Sequence, residues 1–452
     1  MRDISELFVN ENTPIRDAMK VIDRGEVKTA LVVDKNNRLC GVVVDGDIRR
    51  GILNGIDVGE SISKIMNKSP IYAPLDAPKE NILKIIKKQK IVGLPLVDKN
   101  NIVKNFILSA EGRELCCFTE NSNLKKHLDK ILVIGGAGYL GSVLARKLIS
   151  KGYNVRVLDN LTYGDYGIKD LMANPKFEFV KGDIKDISNI VNAIKGVDAV
   201  IHLAAIVGDP ACAVNPQDTI ETNCLAMYNI IETCKLFMVN RVIFASTCSV
   251  YGSSSNPDEI LREDSELRPV SLYAQSKIKC ENKILEAMDE NFYPTILRMA
   301  TLYGHSPNMR FDLVVNLLVA KASFDKKITI FGGDQWRPFL HLEDAAEAYI
   351  QCLESPIEKV GGKIFNISSE NHKINDIGNM IKSVFPEADL EISDKVSDKR
   401  NYRVSSDKIF QAIGFKMENK VMDGIIEIKK VIEDSVIIDY KDSRYRTSAP
   451  QM

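Results

Sequence analysis

The chain has 452 residues, of which 45% are apolar and 27% are charged, and its formal net charge at pH 7 is −1. This length predicts two or three domains, and the near-zero charge gives no general attraction to nucleic acid or to a membrane surface. The nine cysteines form no CxxC pairs and no apolar run is long enough to span a membrane, so we expect a cytoplasmic protein with reduced thiols and no metal site.

The first part of the chain contains an internal repeat. Val33-Asp-Lys-Asn-Asn37 returns 64 residues later as Val97-Asp-Lys-Asn-Asn101, and each copy predicts a helix, a strand, a turn, a strand and a helix. Repeats of this kind bury faces that neither copy could cover alone. Residues 1–118 resemble a tandem pair of CBS domains, an α+β fold. The segment Gly41-Val-Val-Val-Asp-Gly-Asp-Ile-Arg-Arg50 is especially similar to CBS pairs attached to sugar nucleotidyltransferases.

This resemblance implies that Asp47 could hold the ribose of a regulatory adenine nucleotide. The hydroxyl residue that the family places before this aspartate is Val44 here, and the corresponding positions of the second copy are Leu108 and Glu111, with Asn105 in place of a glycine. Both copies therefore depart from the ligand-binding pattern. Regulation by a nucleotide stays open, but we favour a scaffolding role in a homodimer or a larger homo-oligomer.

A second domain is predicted from residue 129 to 452, after a polar linker at 119–128. From Lys130 on, apolar segments alternate with amphipathic helices, which predicts an α/β fold of Rossmann type with a doubly wound parallel sheet. The predicted strands are 131–134, 155–158, 177–180, 199–203, 241–246 and 295–298. Beyond about residue 305 the alternation breaks into shorter pieces, which suggests a smaller substrate-binding lobe.

The stretch 131–141 has the most informative pattern of this domain. An apolar run ends in Gly135, Gly138 and Gly141 and is followed by a helical pattern, as in a strand that turns into a helix whose N-terminus binds a phosphate. Asp159 stands about 20 residues on, at the tip of the next strand, where an acid binds ribose hydroxyls and would repel a 2′-phosphate. We therefore expect NAD rather than NADP. The predicted cofactor-binding residues are Gly135, Gly138, Tyr139, Leu140, Gly141, Asp159, Asn160, Asp183, Ile184, Leu203, Ala204, Ala205, Tyr273 and Lys277.

Hydroxyl and phenol groups follow the predicted fifth strand. Phe244-Ala-Ser-Thr-Cys-Ser-Val-Tyr-Gly252 places Thr247 at the carboxyl end of that strand, where parallel sheets bind ligands. Tyr273 and Lys277 are four residues apart at the start of a predicted helix and therefore share one face. A free tyrosine has a pKa of about 10, which a neighbouring lysine and a cationic nicotinamide would lower.

Together these motifs resemble the extended short-chain dehydrogenase/reductases, the NAD-dependent epimerase/dehydratase group that acts on nucleotide sugars. The resemblance covers residues 129–452. Further matching pieces are Lys181-Gly-Asp-Ile184, His202-Leu-Ala-Ala205, Val250-Tyr-Gly252, Arg298-Met-Ala-Thr-Leu-Tyr-Gly304 and Arg337-Pro-Phe-Leu-His-Leu-Glu-Asp344.

The resemblance implies roles for individual residues. Tyr273 would be the acid/base, Thr247 would hydrogen-bond the reacting hydroxyl, and Lys277 would hold the nicotinamide ribose. The substrate would be a nucleotide-diphosphate sugar. Candidates for its diphosphate are Arg337 and one of Arg400 or Arg403, because an arginine fork suits such a group.

Two positions distinguish the possible reactions. Dehydratases of this family carry Asp-Glu directly after the active threonine, where this chain has Cys248 and Ser249, and the decarboxylases usually carry glutamate at the second position. We therefore expect a nucleotide-sugar epimerase that works through a transient 4-keto sugar, with C4 as the favoured carbon. An NAD(P)H-dependent reductase of a 4-keto nucleotide sugar is the alternative, and a dehydratase is less well supported. A dinucleotide-sensing regulatory protein is the non-enzymatic alternative.

Overall fold

In the computed structural model the described residues are 4–25, 29–75, 77, 79–89, 91, 93–110, 113–119, 128–254, 256, 259–289, 291–393, 398 and 400–445. Contacts divide the chain into two units, Met1–His127 and Leu128–Met452. The predicted linker, 119–128, lies outside the described residues except at its two ends. No helix among the described residues is long and apolar enough to cross a membrane, and within the same ranges no cluster of acidic, histidine or cysteine side chains is placed to hold a metal ion.

The first unit contains two small sheets. Its elements are β1 Phe8–Val9, α1 Ile15–Gly25, β2 Thr29–Val33, β3 Leu39–Val44, α2 Asp45–Leu53, β4 Ala73–Pro74, α3 Lys79–Gln89, β5 Gly93–Val97, β6 Val103–Ala110 and β7 Arg113–Thr119, with 3₁₀ turns at Ile4–Leu7 and Ile62–Lys64. Strands β1, β2 and β3 form one sheet, and β4, β5, β6 and β7 form the other.

The repeated turns fold alike in both copies. Asp34 Oδ1 accepts the backbone N–H groups of Asn36 and Arg38, and Asp98 Oδ1 accepts those of the two equivalent residues of the second copy. Asn37 and Asn101 both adopt the left-handed conformation, with φ of 58° and 62°, which asparagine tolerates. The identical five-residue motifs therefore encode identical Asx turns.

The second helix predicted for the second copy is wrong. After β6 the chain continues into strand β7, which pairs antiparallel with β6. The run Leu115-Cys-Cys-Phe-Thr119 has no helical periodicity, and its aromatic and β-branched residues favour a strand. Glu111, which the family resemblance placed at the ligand position, lies outside the described residues.

Asp47, the residue proposed to bind a nucleotide, serves helix α2. Its Oδ2 accepts the Val44 backbone N–H at 3.0 Å, and its Oδ1 pairs with the Arg50 guanidinium. The carboxylate thus satisfies a free N–H at the start of the helix. Each oxygen has one partner at this helix and keeps a free lone pair, so the nucleotide-binding role of Asp47 stays a prediction.

The second unit is an α/β domain with a smaller lobe. Its elements are β8 Lys130–Ile134, α4 Tyr139–Ser150, β9 Asn154–Asp159, β10 Phe177–Lys181, α5 Ile187–Ile194, β11 Ala199–His202, α6 Asp209–Val214, α7 Pro216–Ile220, α8 Ala226–Leu236, β12 Arg241–Thr247, β13 Ile260–Leu261, α9 Leu272–Glu286, β14 Tyr293–Met299, β15 Thr301–Tyr303, α10 Val314–Ala320, β16 Lys327–Phe331, β17 Trp336–His341, α11 Leu342–Glu354, α12 Ile357–Val360, β18 Ile364–Ile367, β19 Glu370–Lys373, α13 Ile374–Val384, β20 Asp389–Ser393, β21 Arg403–Val404, α14 Asp407–Ile413 and α15 Val421–Glu433. Short 3₁₀ or π turns lie at Lys169–Ala173, Glu221–Leu225, Cys248–Tyr251, Lys321–Asp325 and Ser443–Tyr445.

Seven parallel strands form the central sheet, in the order β10-β9-β8-β11-β12-β14-β18. All six predicted strands are present within one or two residues of their expected bounds, and the fold class is confirmed. The seventh strand, β18, was not predicted, because its four residues Ile364–Ile367 give too short a pattern. Successive residues of β8 from Ile131 to Ile134 are all fully buried, since helices cover both faces of the sheet.

The polypeptide reverses its direction of winding between β8 and β11. From β8 the chain proceeds outward through β9 to β10, and then returns to β11 on the other side. Loops at the carboxyl ends of these two strands diverge and leave a crevice, which is where open α/β sheets bind ligands. The smaller lobe adds short sheets of β15-β17-β19, β16-β20 and β13-β21.

Candidate active site

A cavity of about 1940 Å³ opens along the carboxyl ends of β8, β9, β11 and β12. Small-molecule sites usually occupy about 300–1,000 Å³, so this volume suits two ligands bound together. Every residue predicted at the cofactor lines this cavity, as do Thr247, Arg337 and Arg400, whereas Arg403 does not. Segments as far apart as the glycine loop and Tyr445 meet around it.

The glycine loop leaves no room for a side chain at Gly135 or at Gly141. Gly135 has a φ of +85°, and a Cβ there would lie 2.6 Å from the Ala204 backbone nitrogen. A Cβ at Gly141 would lie 2.3 Å from the Gly135 carbonyl oxygen, so helix α4 packs directly on the loop. Gly138, the residue before α4, would meet only one atom, at 3.5 Å, and it lines the cavity. The loop therefore fits a diphosphate at the helix N-terminus.

Tyr139 lines the cavity but its hydroxyl is turned to the protein. It donates to the Gly304 carbonyl at 2.6 Å and accepts from Asn316 Nδ2 at 3.0 Å. Burial raises the pKa of this phenol well above its usual value, so the hydroxyl stays protonated. The contribution of Tyr139 to a cofactor site is thus its backbone at the start of α4.

The tips of β9 and β10 present carboxylates to the cavity. Asp159 accepts the Ala137 N–H at 3.0 Å and the Leu161 N–H at 2.8 Å, and burial raises its pKa although both hydrogen bonds oppose that shift. Asn160 donates to Asp183 at 3.3 Å. A carboxylate that accepts two N–H groups keeps lone pairs free, so Asp159 can also accept ribose hydroxyls.

The hydroxyl, phenol and ammonium groups come from two elements. Thr247 is the last residue of β12, and its Oγ1 accepts the Ser249 N–H at 3.1 Å. Tyr273 and Lys277 lie on the first turns of α9, whose N-cap Ser271 accepts the Ala274 N–H. The Thr247 side chain is near enough to the Tyr273 hydroxyl to lower the pKa of that phenol. The structure therefore brings Thr247 and Tyr273 together at the cavity wall.

Lys277 is buried at the cavity wall, and its predicted roles toward Tyr273 and the nicotinamide ribose stay predictions. Its Nζ donates to the Ala245 carbonyl at 2.7 Å and lies 4.7 Å from the centre of the Phe244 ring, but 6.0 Å from that of Tyr273. Burial lowers the pKa of Lys277. The ammonium is thus held on strand β12 rather than on the phenol.

Arg310 is a second cation that affects the phenol, and it was not among the predicted site residues. Burial raises the pKa of Tyr273 to about 12, and the positive charge of Arg310 is the largest of the effects that oppose this rise, ahead of that of the Thr247 side chain. Arg310 lines the same cavity. The segment Asn308-Met-Arg-Phe-Asp312 has no regular periodicity, and only the Arg-x-Asp spacing could have drawn attention to it.

The position of Arg310 is fixed from several sides. Its guanidinium forms two hydrogen bonds with Asp312, at 3.0 and 2.6 Å, and its carbonyl accepts from Asn316 Nδ2 at 2.9 Å. The next residue, Phe311, packs edge-on against the rings of Tyr440 and Tyr445. The charge is therefore held in place before any substrate arrives, as electrostatic catalysis requires.

Two arginines meet at the other end of the cavity. Arg337 Nη2 and Arg400 Nη2 both pair with Asp398 Oδ2, at 2.8 and 2.7 Å, and Arg400 Nη1 donates to Ser249 Oγ at 3.1 Å. Burial opposes ionisation of Asp398, but the two guanidinium groups outweigh it and hold the pKa of Asp398 well below its usual range. Arg400 Nε also lies 3.9 Å from Asp209 Oδ2, so two carboxylates face the two guanidinium groups at the place where a diphosphate could pair with both arginines.

Arg403 lies elsewhere. Its guanidinium is 4.8 Å from the centre of the Trp336 ring, outside the cavity lining. Of the two alternatives left open by the sequence, the structure therefore places Arg400 and not Arg403 beside Arg337. Arg403 lies on strand β21, where it pairs with Ile260 of β13, and this pairing places it away from the cavity.

The two residues after Thr247 carry no acid at the cavity. Cys248 is fully buried, and its thiol donates to the Arg298 carbonyl at 3.1 Å while burial raises its pKa far above the usual value. Ser249 lines the cavity, where its hydroxyl accepts from Arg400. Neither side chain can act as a general acid or base near neutral pH.

Known proteins match both units. The family model for the NAD dependent epimerase/dehydratase family matches residues 131–368, and the model for the CBS domain matches residues 1–54 and 62–107. The chain is similar to a putative UDP-glucose 4-epimerase of Methanocaldococcus jannaschii, with 32% identity over 305 residues that cover 65% of this chain and 95% of that protein.

Other relatives have different reactions. The chain is 27% identical to a dTDP-glucose 4,6-dehydratase of Salmonella typhimurium, over 67% of this chain and 92% of that protein. It also matches the crystal structure of UDP-glucuronic acid 4-epimerase from Bacillus cereus in complex with UDP-glucuronic acid and NAD. The TM-score is 0.61 and the identity 27%, covering 68% of this chain and 99% of that one.

Proposed function

We propose, on the premise that this chain belongs to the NAD-dependent epimerase/dehydratase family and carries two CBS domains, that it epimerises a nucleotide sugar, with C4 as the favoured carbon. The observation that carries the proposal is that Thr247 and Tyr273 line one cavity beside the glycine loop, while the two positions after Thr247 hold neither an acid nor a base. Epimerisation needs one proton acceptor, whereas elimination of water needs an additional acid and base. Cys248 and Ser249 supply neither.

The relatives support this choice without deciding it. They include UDP-glucose 4-epimerases and a UDP-glucuronic acid 4-epimerase, but also dTDP-glucose 4,6-dehydratases. The name of each of these relatives contains a nucleotide sugar. Arg337 and Arg400 would bind its diphosphate, which would displace Asp398 as the anion nearest to them.

The cofactor would be held by the loop from Gly135 to Gly141 and by Asp159. When bound, NAD supplies a reversible hydride acceptor, so that a hydroxyl-bearing carbon can be oxidised and then reduced on its other face. Tyr273 takes the hydroxyl proton and returns it, and Thr247 orients that hydroxyl by hydrogen bonding. Arg310 stabilises the phenolate that forms, and Lys277 fixes the strand end from which Thr247 projects.

The test is a product analysis. Purified protein with NAD is incubated with a panel of UDP-, dTDP-, GDP- and CDP-sugars, and the products are separated and identified. We expect a sugar inverted at one carbon, with no net change in NADH absorbance. Release of water or steady consumption of NADH would replace the proposal by a dehydratase or by the keto-sugar reductase.

Cofactor choice can be tested separately. NAD is expected to bind at least tenfold more tightly than NADP, because Asp159 would lie next to the 2′-phosphate and repel it. Isothermal calorimetry with both dinucleotides measures the ratio. Asp159→Asn should reduce the preference, and equal binding of the two dinucleotides by the unaltered protein would contradict the assignment.

Removal of Arg310 is expected to change the pH dependence. In Arg310→Gln the pKa of Tyr273 rises, so the limb on which kcat/KM increases with pH moves to higher pH. At pH 7 the rate should fall about tenfold, because one pKa unit changes the phenolate fraction tenfold. Arg444→Gln is the control, since Arg444 lines the same cavity but pairs with Asp442. A raised KM with an unchanged pH profile would make Arg310 a substrate contact only.

The CBS pair is proposed to be a scaffold. Asp47 caps α2 and pairs with Arg50, and the hydroxyl residue that the family places before it is replaced by Val44, so one expected nucleotide contact is missing. We expect ATP, ADP and AMP to leave turnover unchanged, and deletion of residues 1–118 to lower the oligomer mass without changing the rate per site. A nucleotide effect seen in the full chain and lost in the truncated chain would establish regulation instead.

A further inference from the structure

A short π-helical turn, Glu221–Leu225, lies between α7 and α8 and contacts the helix that carries Tyr273. Such turns are rare and often lie at functional sites. Asn223 on this turn exchanges two hydrogen bonds with the Ile206 backbone, at 2.8 and 3.0 Å, and donates to Ser276 Oγ at 3.3 Å. The turn therefore links the cavity-lining loop after β11 to α9.

Two cysteines lie at the contact between the π-helical turn and α9. Cys280 of α9 donates to the Asn223 carbonyl at 2.8 Å, and Cys224 of the π-helical turn donates to the Ser276 carbonyl at 3.8 Å. Each sulfur thus reaches across to the other element, and Cys280 lies about one turn after Lys277. The interaction between the two thiols lowers the pKa of Cys224 and raises that of Cys280.

The thiol of Cys224 is partly exposed, and its pKa is lower than that of an ordinary cysteine. It is half-buried, as Cys40 is. The interaction with Cys280 lowers its pKa although burial opposes this shift, and the charges of Lys279 and Lys277 lower it further. Burial instead raises the pKa of five other thiols, which are Cys40, Cys212, Cys234, Cys248 and Cys352. The thiolate is the reactive form of cysteine, so Cys224 reacts before these thiols with a soft electrophile.

We propose that Cys224 and Cys280 form an oxidation site for hydroperoxides that closes as a disulfide. The Cys224 thiolate attacks one peroxide oxygen, the O–O bond breaks, and hydroxide leaves and takes a proton to become water. The sulfenic acid on Cys224 is then attacked by the Cys280 sulfur, and a second water leaves. One peroxide is reduced by two electrons, and the two thiols lose two hydrogens.

Closing the disulfide would disturb the catalytic helix. A disulfide has no S–H group, so its formation removes the hydrogen bonds that Cys280 donates to the Asn223 carbonyl and Cys224 donates to the Ser276 carbonyl. These bonds join the π-helical turn to α9, and their loss is expected to alter the bonds that Asn223 makes with Ile206 and Ser276. Lys277 is adjacent to Ser276, so the oxidised protein is expected to bind NAD more weakly, and dithiothreitol should reverse the loss.

The experiment treats the full-length protein with equimolar hydrogen peroxide and measures intact mass, peptide linkage and NAD affinity by calorimetry. We expect a loss of about 2 Da, for the two hydrogens removed, a linked pair of peptides containing Cys224 and Cys280, and at least fivefold weaker NAD binding. Cys224→Ser and Cys280→Ser should each prevent the linkage. Cys40→Ser, which removes another half-buried thiol, should not.

These measurements do not depend on which sugar reaction the chain catalyses. Oxygen adducts on Cys224 without a link to Cys280, or a disulfide between other cysteines, would overturn the proposed site. A Cys224–Cys280 disulfide that leaves NAD affinity unchanged would overturn its effect on α9. If the double variant Cys224→Ser/Cys280→Ser still loses NAD affinity on peroxide treatment, the sensitivity arises elsewhere.

Discussion

Replacement of Tyr273 by phenylalanine is expected to lower kcat by about 10²–10⁴-fold, the usual effect of losing one positioned acid/base. The ring remains, so the packing of α9 and the affinity for NAD should change little. The reason lies in the surroundings of the oxygen, because the Thr247 side chain and the positive charge of Arg310 both lower the pKa of this phenol against the effect of burial. Steady-state kinetics on the sugar identified by the product analysis, with NAD affinity measured in parallel, test the expectation.

Tyr163→Phe is the matched control. Tyr163 lines the same cavity, and Arg310 likewise opposes the rise of its pKa caused by burial. Loss of its hydroxyl should change kcat less than about fivefold, because the proposal gives Tyr163 no proton to transfer. If Tyr273→Phe retained more than about a tenth of the original rate, Tyr273 would have no role as acid/base.

A buried ion pair behind the active site should dominate stability. Arg298 of β14 and Glu281 of α9 are 3% and 2% exposed and form two hydrogen bonds, at 3.0 and 2.7 Å. Glu281 also accepts from Ser246, which precedes Thr247, and Arg298 donates to the Tyr251 hydroxyl at 2.9 Å. The pair therefore joins the catalytic helix to the strand end that carries Thr247.

Arg298→Met is expected to lower the free energy of unfolding by about 3–5 kcal/mol, because it leaves the Glu281 carboxylate buried without its cation. Denaturant unfolding measures the change. Addition of Glu281→Gln to Arg298→Met should cost less than the sum of the two single changes, since the double variant leaves no unpaired charge.

The exposed pair on the same helix is the control. Lys283 and Glu286 are 3.9 Å apart, with side chains 37% and 69% exposed. Glu286→Gln should change stability by less than about 1 kcal/mol. A similarly small change for Arg298→Met would show that the buried pair contributes no more than a surface pair. Loss of turnover in a folded Arg298 variant would indicate displacement of Thr247 or α9.

The local patterns of the sequence determined most of the α/β unit. A buried parallel strand is apolar along its whole length, and a glycine loop and a helix follow it at fixed spacing. The positions of Gly135, Gly138 and Gly141 therefore indicate where the strand ends and where the helix begins. Carboxyl ends of parallel strands meet at one edge of a sheet. For this reason the amino-acid sequence by itself was enough to place Asp159, Thr247 and the start of α9 near one cavity.

Tertiary contacts decided the rest. The choice between Arg400 and Arg403 depends on the pairing of β21 with β13, two-residue strands that lie far apart along the chain and join Arg403 to Ile260. The role of Arg310 depends on Asn316, Asp312 and the aromatic rings of the C-terminal segment. Electrostatic interactions act through space and leave no periodic signal along the chain, so the sequence indicated Lys277 as a cation near Tyr273 but gave no sign of Arg310.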